Sequence, residues 1–496
     1  MLILTRIFFQ TFDSGNLQNV EAIPYDSHPL EGLPEVSEEM PVEKGGPLLP
    51  SDYSFRIWTR PDCAGTEFEN GNRTWFYFGF RGGPSTGIDD PKDIDSYPTL
   101  RFTLMNLNKQ SKLFSQGHTP AFLVVPLPHT IHSYGKDKLL LKQHYPQAWD
   151  RIRDKPTYWT LNTDQRNFVT SFRMRCDPRA TTYVAFTYPY SYRELQIFLS
   201  KLERKHSNDS TFHEKIQTQI DDKFSKLYFH RELLIRSLLN FRVDLLTITD
   251  SNGMSDEREP QLENLFPDHP HTVRPRIFNN KKVIFVSARV HPGETQSSFV
   301  MNGFIKFLLK ENDPRAEALR RKYVFKLVPM LNPDGVVHGH YRTDSRGVNL
   351  NRVYGLPSLE NHPQIYAARK LILYAHYRKE IQEENVVPNE DEVVVSKPPA
   401  EEDSILTKTN NSEENRSEST PTPDLPVIHF KTSTPTSSTG GGGTSNWLKS
   451  CLSEPGCSKS SANPSSNWTI TDNYLMTETS RFSEGMYTIH TKGGFS

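Results

Sequence analysis

The stretch from Lys281 to Leu331 constrains the fold most. "KKVIFVSARV" opens it and "KYVFKLVPML", residues 322–331, closes it, and both are rich in apolar and β-branched residues. Runs of that kind read as strands buried on both faces. Between them Phe299, Val300, Phe304, Phe307 and Leu308 recur at helical spacing, and Asp313-Pro314 starts a second helical piece. Strand, helix, strand over roughly fifty residues is a crossover unit, and it requires parallel strands in a helix-covered sheet. The chain therefore contains an α/β domain.

Other segments fall around that unit. "SYRELQIFLSKLERK" reads as an amphipathic helix and "VDLLTIT", residues 243–249, as a buried strand. Residues 362–379 put Ile365, Ala368, Leu371, Ile372 and Ala375 on one helical face. Upstream, "YSFRIWT", "RTWFYFGFRG", "LRFTLMNL", "AFLVVPL", "NFVTSF" and "TTYVAFTYPY" are short, aromatic and β-branched, with Phe76, Phe78 and Phe80 alternating in period two. They predict an antiparallel β-sandwich of about seven to nine strands with no chemistry of its own. The expected organisation is multidomain: a mobile arm over 1–50, the sandwich over 51–188, an α/β domain over 189–380, and a disordered Ser/Thr/Pro/Gly-rich tail over 381–496. Hydrophobic residues are only 35% of the chain, and the tail accounts for the deficit.

The charge balance, 58 basic against 59 acidic side chains, argues against a nucleic-acid coat protein. Cys63, Cys176, Cys451 and Cys457 match neither a disulfide framework nor a zinc-finger spacing, which fits a reducing compartment. Arg6 interrupts the apolar start "MLILTRIFFQTF" and no small-residue cleavage site follows, so no signal peptide is expected. No apolar stretch is long enough to span a bilayer.

The chemistry concentrates at the two strand ends of the crossover. "HPGET" places His291 and Glu294 just after the first strand, where open α/β sheets bind ligands. Imidazole and carboxylate are zinc donors, and a Pro-Gly turn can aim both at one point. The spacing alone is weak evidence: His28-Pro-Leu-Glu31 repeats it by accident. After the second strand, "LNPDGVVHGHYRTDSRGVNLNR" gathers Asn332, Asp334, Arg342, Arg346, Asn351 and Arg352 around glycines. Arginine forks match carboxylates in two-point geometry, so such a pocket could hold a substrate carboxylate beside a metal. The competing reading is a solvated basic loop with a helix cap.

"HPGET", "LNPDGV" and "GVNLNR", in this order, resemble the zinc carboxypeptidases of the carboxypeptidase A type. The preceding β-module, with "WTRPDCAGTEFENGNRTWFYF" and "YFHRELLIRSLL", makes the chain similar to the cytosolic carboxypeptidase subgroup, over about residues 12–380. That resemblance implies a mixed sheet flanked by helices and one zinc ion per subunit. It makes His291 and Glu294 two of three metal ligands, Arg342 the arginine that polarises the scissile carbonyl, and Asn351 and Arg352 the pair that holds the substrate's terminal carboxylate. It further implies a deglutamylase, removing terminal and branch-point glutamates from polyglutamylated tubulin, microtubules and other acidic tails. The expected protein is a monomer in the cytosol, on the cytoskeleton and in the nucleus, without nucleic-acid or membrane partners. Residues 281–326, with ten Lys/Arg and four Asp/Glu, suggest a basic surface that steers acidic peptides.

The family pattern also calls for a third ligand in a later His-Gly-His and a glutamate base, and neither is found. His338-Gly339-His340 precedes the arginine motif and is rejected as that ligand. His362, His376, His429, His490 and Glu478 lack the right surroundings. The expectation is an α/β domain incomplete at its C-terminal end, the tail being an insertion. Three readings stay open: a metallocarboxypeptidase, a protein that binds acidic tails without cleaving them, and a small-molecule deacylase.

Overall fold

The computed structural model describes residues 3–24, 26–33, 41–82, 97–161, 168–206, 227–384 and 486–492. All of these except Glu384 belong to one compact unit.

Alternating aromatic strands build a sandwich of two six-stranded sheets. One runs Met486–Lys492, Ile3–Phe9, Tyr77–Arg81, Ala180–Ala185, Ala121–Pro126 and Asp150–Arg151. The other runs Asn19–Ile23, Tyr53–Trp58, Thr99–Leu107, Phe168–Arg175, Thr157–Thr160 and Lys44–Gly45. Among the described strands of the sandwich the pairing is antiparallel except between Tyr53–Trp58 and Thr99–Leu107. Phe8, Phe55, Phe76, Phe78, Phe80 and Phe102 meet between the sheets, with Phe80 and Phe102 ring centroids 5.1 Å apart. Tilted and edge-to-face rings at such distances add to the area they bury.

Two expectations change here. Residues 1–50 are not a mobile arm throughout: Ile3–Phe9 pairs with Tyr77–Arg81, and Asn19–Ile23 pairs with Tyr53–Trp58. Phe8, Leu17 and Val20 are buried in the same core. The segment's polar average hid short strands whose inward residues are few but large. The decoy His28 packs edge-on against Trp159 and its Nδ1 accepts the Leu30 amide, so it closes a turn. In the tail, Met486–Lys492 is a strand paired with Ile3–Phe9; residues 385–485 lie outside the described residues.

The α/β part is a mixed four-stranded sheet in the order Leu227–Arg236, Arg242–Asp250, Tyr323–Val328, Lys282–Ser287. Only the last pair is parallel, in register from Lys282–Tyr323 to Ser287–Val328. Leu195 and Leu199 of helix Tyr192–His206 pack with Met301, Ile305 and Leu308 of helix Gln296–Leu308 over Leu246, Ile248, Phe325 and Leu327. Ile365, Ala368 and Leu371 of helix Pro363–Glu384 cover Leu245 and Val328. Asp313 caps its helix by accepting from Arg315 N–H, with Pro314 in the first turn. The crossover helix buries Ser298, Met301, Asn302, Ile305 and Leu308, while Phe299 is 38% and Val300 71% exposed. Hydrophobicity alone had picked the neighbouring face. No helix among the described residues is long and apolar enough to cross a membrane.

His118 wedges between Phe114 and Phe186, with ring centroids at 5.1 and 4.7 Å. Burial pulls its pKa down to about 4. The unfolded chain would bind this proton near pH 6.5, so between those values it holds more protons than the folded one. The sign is therefore loss of stability as pH falls from about 6.5 toward 4. Thermal melting followed across that window should show a falling midpoint, with a shallower fall in His118→Leu. An equal slope in both proteins would refute the assignment.

Candidate metal centre and substrate pocket

The two parallel strands continue to pair loosely beyond their ends. Ala288 N–H donates to Val328 O at 3.0 Å, and Leu331 N–H to Ala288 O at 2.9 Å. This places the HPGET turn beside the start of the Asn332 segment. Arg289 then enters the left-handed region at φ 57°. Its buried guanidinium gives Nε–H to Pro292 O at 2.7 Å and Nη1–H to Tyr190 O at 3.0 Å and Ser298 Oγ at 2.9 Å. Those bonds fix the turn. Burial lowers the Arg289 pKa to about 10, which leaves it charged at neutral pH.

His291 is 6% exposed, and its two ring nitrogens face different partners. Nε2 lies 3.0 Å from Asn349 Oδ1, and Nδ1 lies 3.0 Å from Glu294 Oε1. Asn351 N–H also donates to Asn349 Oδ1, at 3.1 Å, which fixes that atom as an acceptor. Nε2 must then carry the proton. Nδ1 and the Glu294 carboxylate face each other at hydrogen-bond distance, side by side on one turn where both could reach a single metal ion. Glu294 is held below the usual carboxylate range, first by its His291 hydrogen bond and further by the charges of His291 and Arg342. Nitrogen and oxygen donors so placed suit zinc.

As donors, then, His291 and Glu294 fit a zinc ion, and they would supply two of the three protein ligands a catalytic zinc site uses. Among the described residues no group of three or more His, Cys, Asp or Glu side chains is placed to hold a metal ion. His340 is occupied on both nitrogens: Nε2 accepts Cys63 N–H at 3.1 Å, and Nδ1 faces Thr343 O at 3.3 Å. His338 Nδ1 faces Asp334 O at 3.0 Å. His362 Nδ1 is 3.4 Å from the Ser358 amide, and His376 sits on the helix against Tyr377. His490 lies in strand Met486–Lys492. His429 and Glu478 lie outside the described residues.

Arg342 is half-buried near Glu294, and its guanidinium forms no hydrogen bond among the described residues. Asn351 and Arg352 lie in the 3₁₀ turn Leu350–Arg352, both exposed, with Arg352 Nη1–H donating to Asn351 O at 2.9 Å. Asn349 links that turn to His291, a role the sequence reading missed although Asn349-x-Asn351 is a recognisable Asx turn.

The remaining polar residues of the segment are framework. Asn332, fully buried, donates to Val290 O and Thr343 O, both at 3.2 Å, and accepts Gly335 N–H at 2.9 Å. Asp334, also fully buried, accepts from Ser237 Oγ–H and the Leu239 amide. Arg346 reaches outward to Asn361 Oδ1 at 2.6 Å. The expected basic surface thins as well. Lys281, Arg289, Arg320 and Lys326, four of the ten cations of residues 281–326, are buried and bonded inside the domain.

Residues 235–390 match the family described as zinc carboxypeptidase. Over 407 residues the chain is 44% identical to cytosolic carboxypeptidase-like protein 5 of Mus musculus, covering 82% of this chain and 41% of that protein. The Homo sapiens protein of the same name gives the same identity and coverage. The chain thus spans about two fifths of the length of these curated relatives. A solved metallo-carboxypeptidase from Burkholderia cenocepacia aligns with 74% of this chain and 67% of its own, at 19% identity and a TM-score of 0.42.

Proposed function

The chain belongs to the zinc carboxypeptidase family, and on that premise we propose that it is a metallocarboxypeptidase that releases glutamate from acidic protein tails, branch points included. One observation carries this reading: His291 Nδ1 and Glu294 Oε1 stand 3.0 Å apart with Asn349 fixing the imidazole proton on the far nitrogen. An oxygen acceptor on the second ring nitrogen is what orients metal-bound histidines.

His291 and Glu294 would hold the zinc. When bound, the ion acidifies a water and polarises the peptide carbonyl. Asn351 and Arg352 grip the C-terminal carboxylate, the arginine through its planar fork. Arg342 stabilises the negative charge that develops on the carbonyl oxygen during attack. Polyglutamylated tubulin tails and similar glutamate-rich segments are the proposed partners, met in the cytosol, on the cytoskeleton and in the nucleus, by a monomer with one zinc. The two donors among the described residues favour one competing reading, a protein that binds acidic tails without cleaving them.

Free glutamate released from matched peptides separates the two. A peptide ending in glutamate should be cut, its C-terminal amide should not, and one ending in lysine should be cut far more slowly. Binding of the glutamate peptide with no release would favour the non-cleaving reading. Equal release from all three would exclude a carboxylate-gripping pocket.

A further inference from the structure

The sandwich reaches directly into the loop that carries Arg342. Asp62, in the turn after strand Tyr53–Trp58, is 1% exposed. Its carboxylate accepts three successive backbone amides: Tyr341 N–H at 2.6 Å, Arg342 N–H at 2.8 Å and Thr343 N–H at 2.9 Å. Thr343 Oγ1–H adds a fourth bond at 3.0 Å. Among the described residues Asp62 has no ion-pair partner, so these donors alone offset the cost of burying its charge. Its own turn is closed by Asp62 N–H to Asn72 O at 2.8 Å and Asn70 N–H to Asp62 O at 3.1 Å. Cys63 and Asn70 add bonds from the same turn to His340 and Thr343.

The other side of the loop is tied to the metal turn. Gly293 N–H donates to Tyr341 O at 2.8 Å, and Asn332 bridges Thr343 O to Val290 O. Arg342 therefore sits between two anchors, one on the HPGET turn and one on the sandwich. Its own side chain supplies no third anchor. Backbone placement is what decides where its guanidinium lies.

We propose that Asp62 is a positioning residue for Arg342, so that the sandwich contributes to the reaction by setting the arginine's place over the metal turn. This rests on the carboxypeptidase reading for its catalytic consequence, though the clamp itself does not. A displacement of about 1 Å in a positioned group can cost on the order of 10²-fold in rate, which sets the scale expected.

Asp62→Asn keeps the shape but turns an N–H toward the loop's own N–H groups. Hydrogen exchange at Tyr341, Arg342 and Thr343 should accelerate at least tenfold, and the melting temperature should fall because buried donors lose their acceptor, with zinc uptake little changed. The catalytic constant should fall about 10- to 100-fold with KM nearly constant. In an Arg342→Ala background the same change should have almost no further effect, because the residue it positions is gone. Thr343→Val, which removes the Oγ1–H bond to Asp62 and the Asn70 bond to Oγ1 but leaves the carboxylate and its three amide donors, should shift exchange and rate in the same direction by less, and it serves if Asp62→Asn does not fold. Unchanged exchange overturns the clamp whatever the activity. Additive losses in the double variant overturn the positioning role and leave a purely structural one. If the parent chain releases no glutamate, the carboxypeptidase reading fails instead, and the same cycle is read on affinity for a glutamate-terminated peptide, with additivity again overturning the role.

Discussion

Arg342→Ala should lower the catalytic constant for glutamate release by about 10²- to 10³-fold, the usual cost of removing one preorganised donor from a developing oxyanion. Zinc uptake should not change, because Arg342 is not a donor to the ion. KM should change little, since the interaction forms fully only in the transition state. The Arg342 guanidinium forms no hydrogen bond among the described residues, and the alanine variant keeps the backbone N–H that Asp62 accepts, so the change strands no buried partner and should leave melting close to the parent. Arg342→Lys should recover part of the loss: it restores the charge and not the planar fork. A catalytic constant unchanged in the alanine variant would remove Arg342 from the reaction.

Gly293→Ala should damage the site through the backbone. A Cβ at Gly293 would lie 2.6 Å from Tyr341 Cδ2 and 2.8 Å from Tyr341 O. The ring could rotate, but the carbonyl oxygen belongs to the loop that Asp62 holds from the other side. The HPGET turn would have to move, breaking the Gly293 N–H bond to Tyr341 O and separating His291 from Glu294. Overpacking of this kind typically costs about 1–3 kcal/mol. The expected result is a lower melting temperature together with weaker zinc uptake and lost activity. Normal melting and normal zinc uptake would show that the turn has room the geometry denies it. Gly335 is under the same constraint, with Pro292 and the Thr343 carbonyl each 2.4 Å from its absent Cβ.

What could be read from the sequence was what local periodicity and short motifs encode. The crossover unit, the Phe76-Phe78-Phe80 alternation and the helix at Asp313-Pro314 all depend on neighbours within a few residues, and they fold as their patterns suggest, except that Lys282–Ser287 is a half-buried edge strand and not one buried on both faces. The juxtaposition of His291 and Glu294 was legible for the same reason, the two being three apart on one turn. The failures are those of averaging and distance. The arm's polar average concealed the strands around Phe8 and Val20. Phe299 and Val300 looked like a buried face because a helix has no outside until its partner is known. Asp334 and Arg346 looked alike in a basic, glycine-rich segment, yet one is fully buried under Ser237 and the other points to solvent. The most consequential contact, Asp62 to the Arg342 loop, joins residues 280 apart in the chain. No pattern in a single sequence encodes such a pairing.

The proposed chemistry requires that His291 and Glu294 share a metal ion. Zinc titrated into the metal-free chain, with bound metal counted by native mass spectrometry, measures this directly. One zinc per chain is expected, held less tightly than by a three-donor site if these two residues are its only protein ligands. It should be lost in His291→Ala and strongly weakened in Glu294→Gln. Uptake that survives intact in His291→Ala, or a parent chain that takes up no zinc at any concentration, would contradict the claim that this turn is a metal centre.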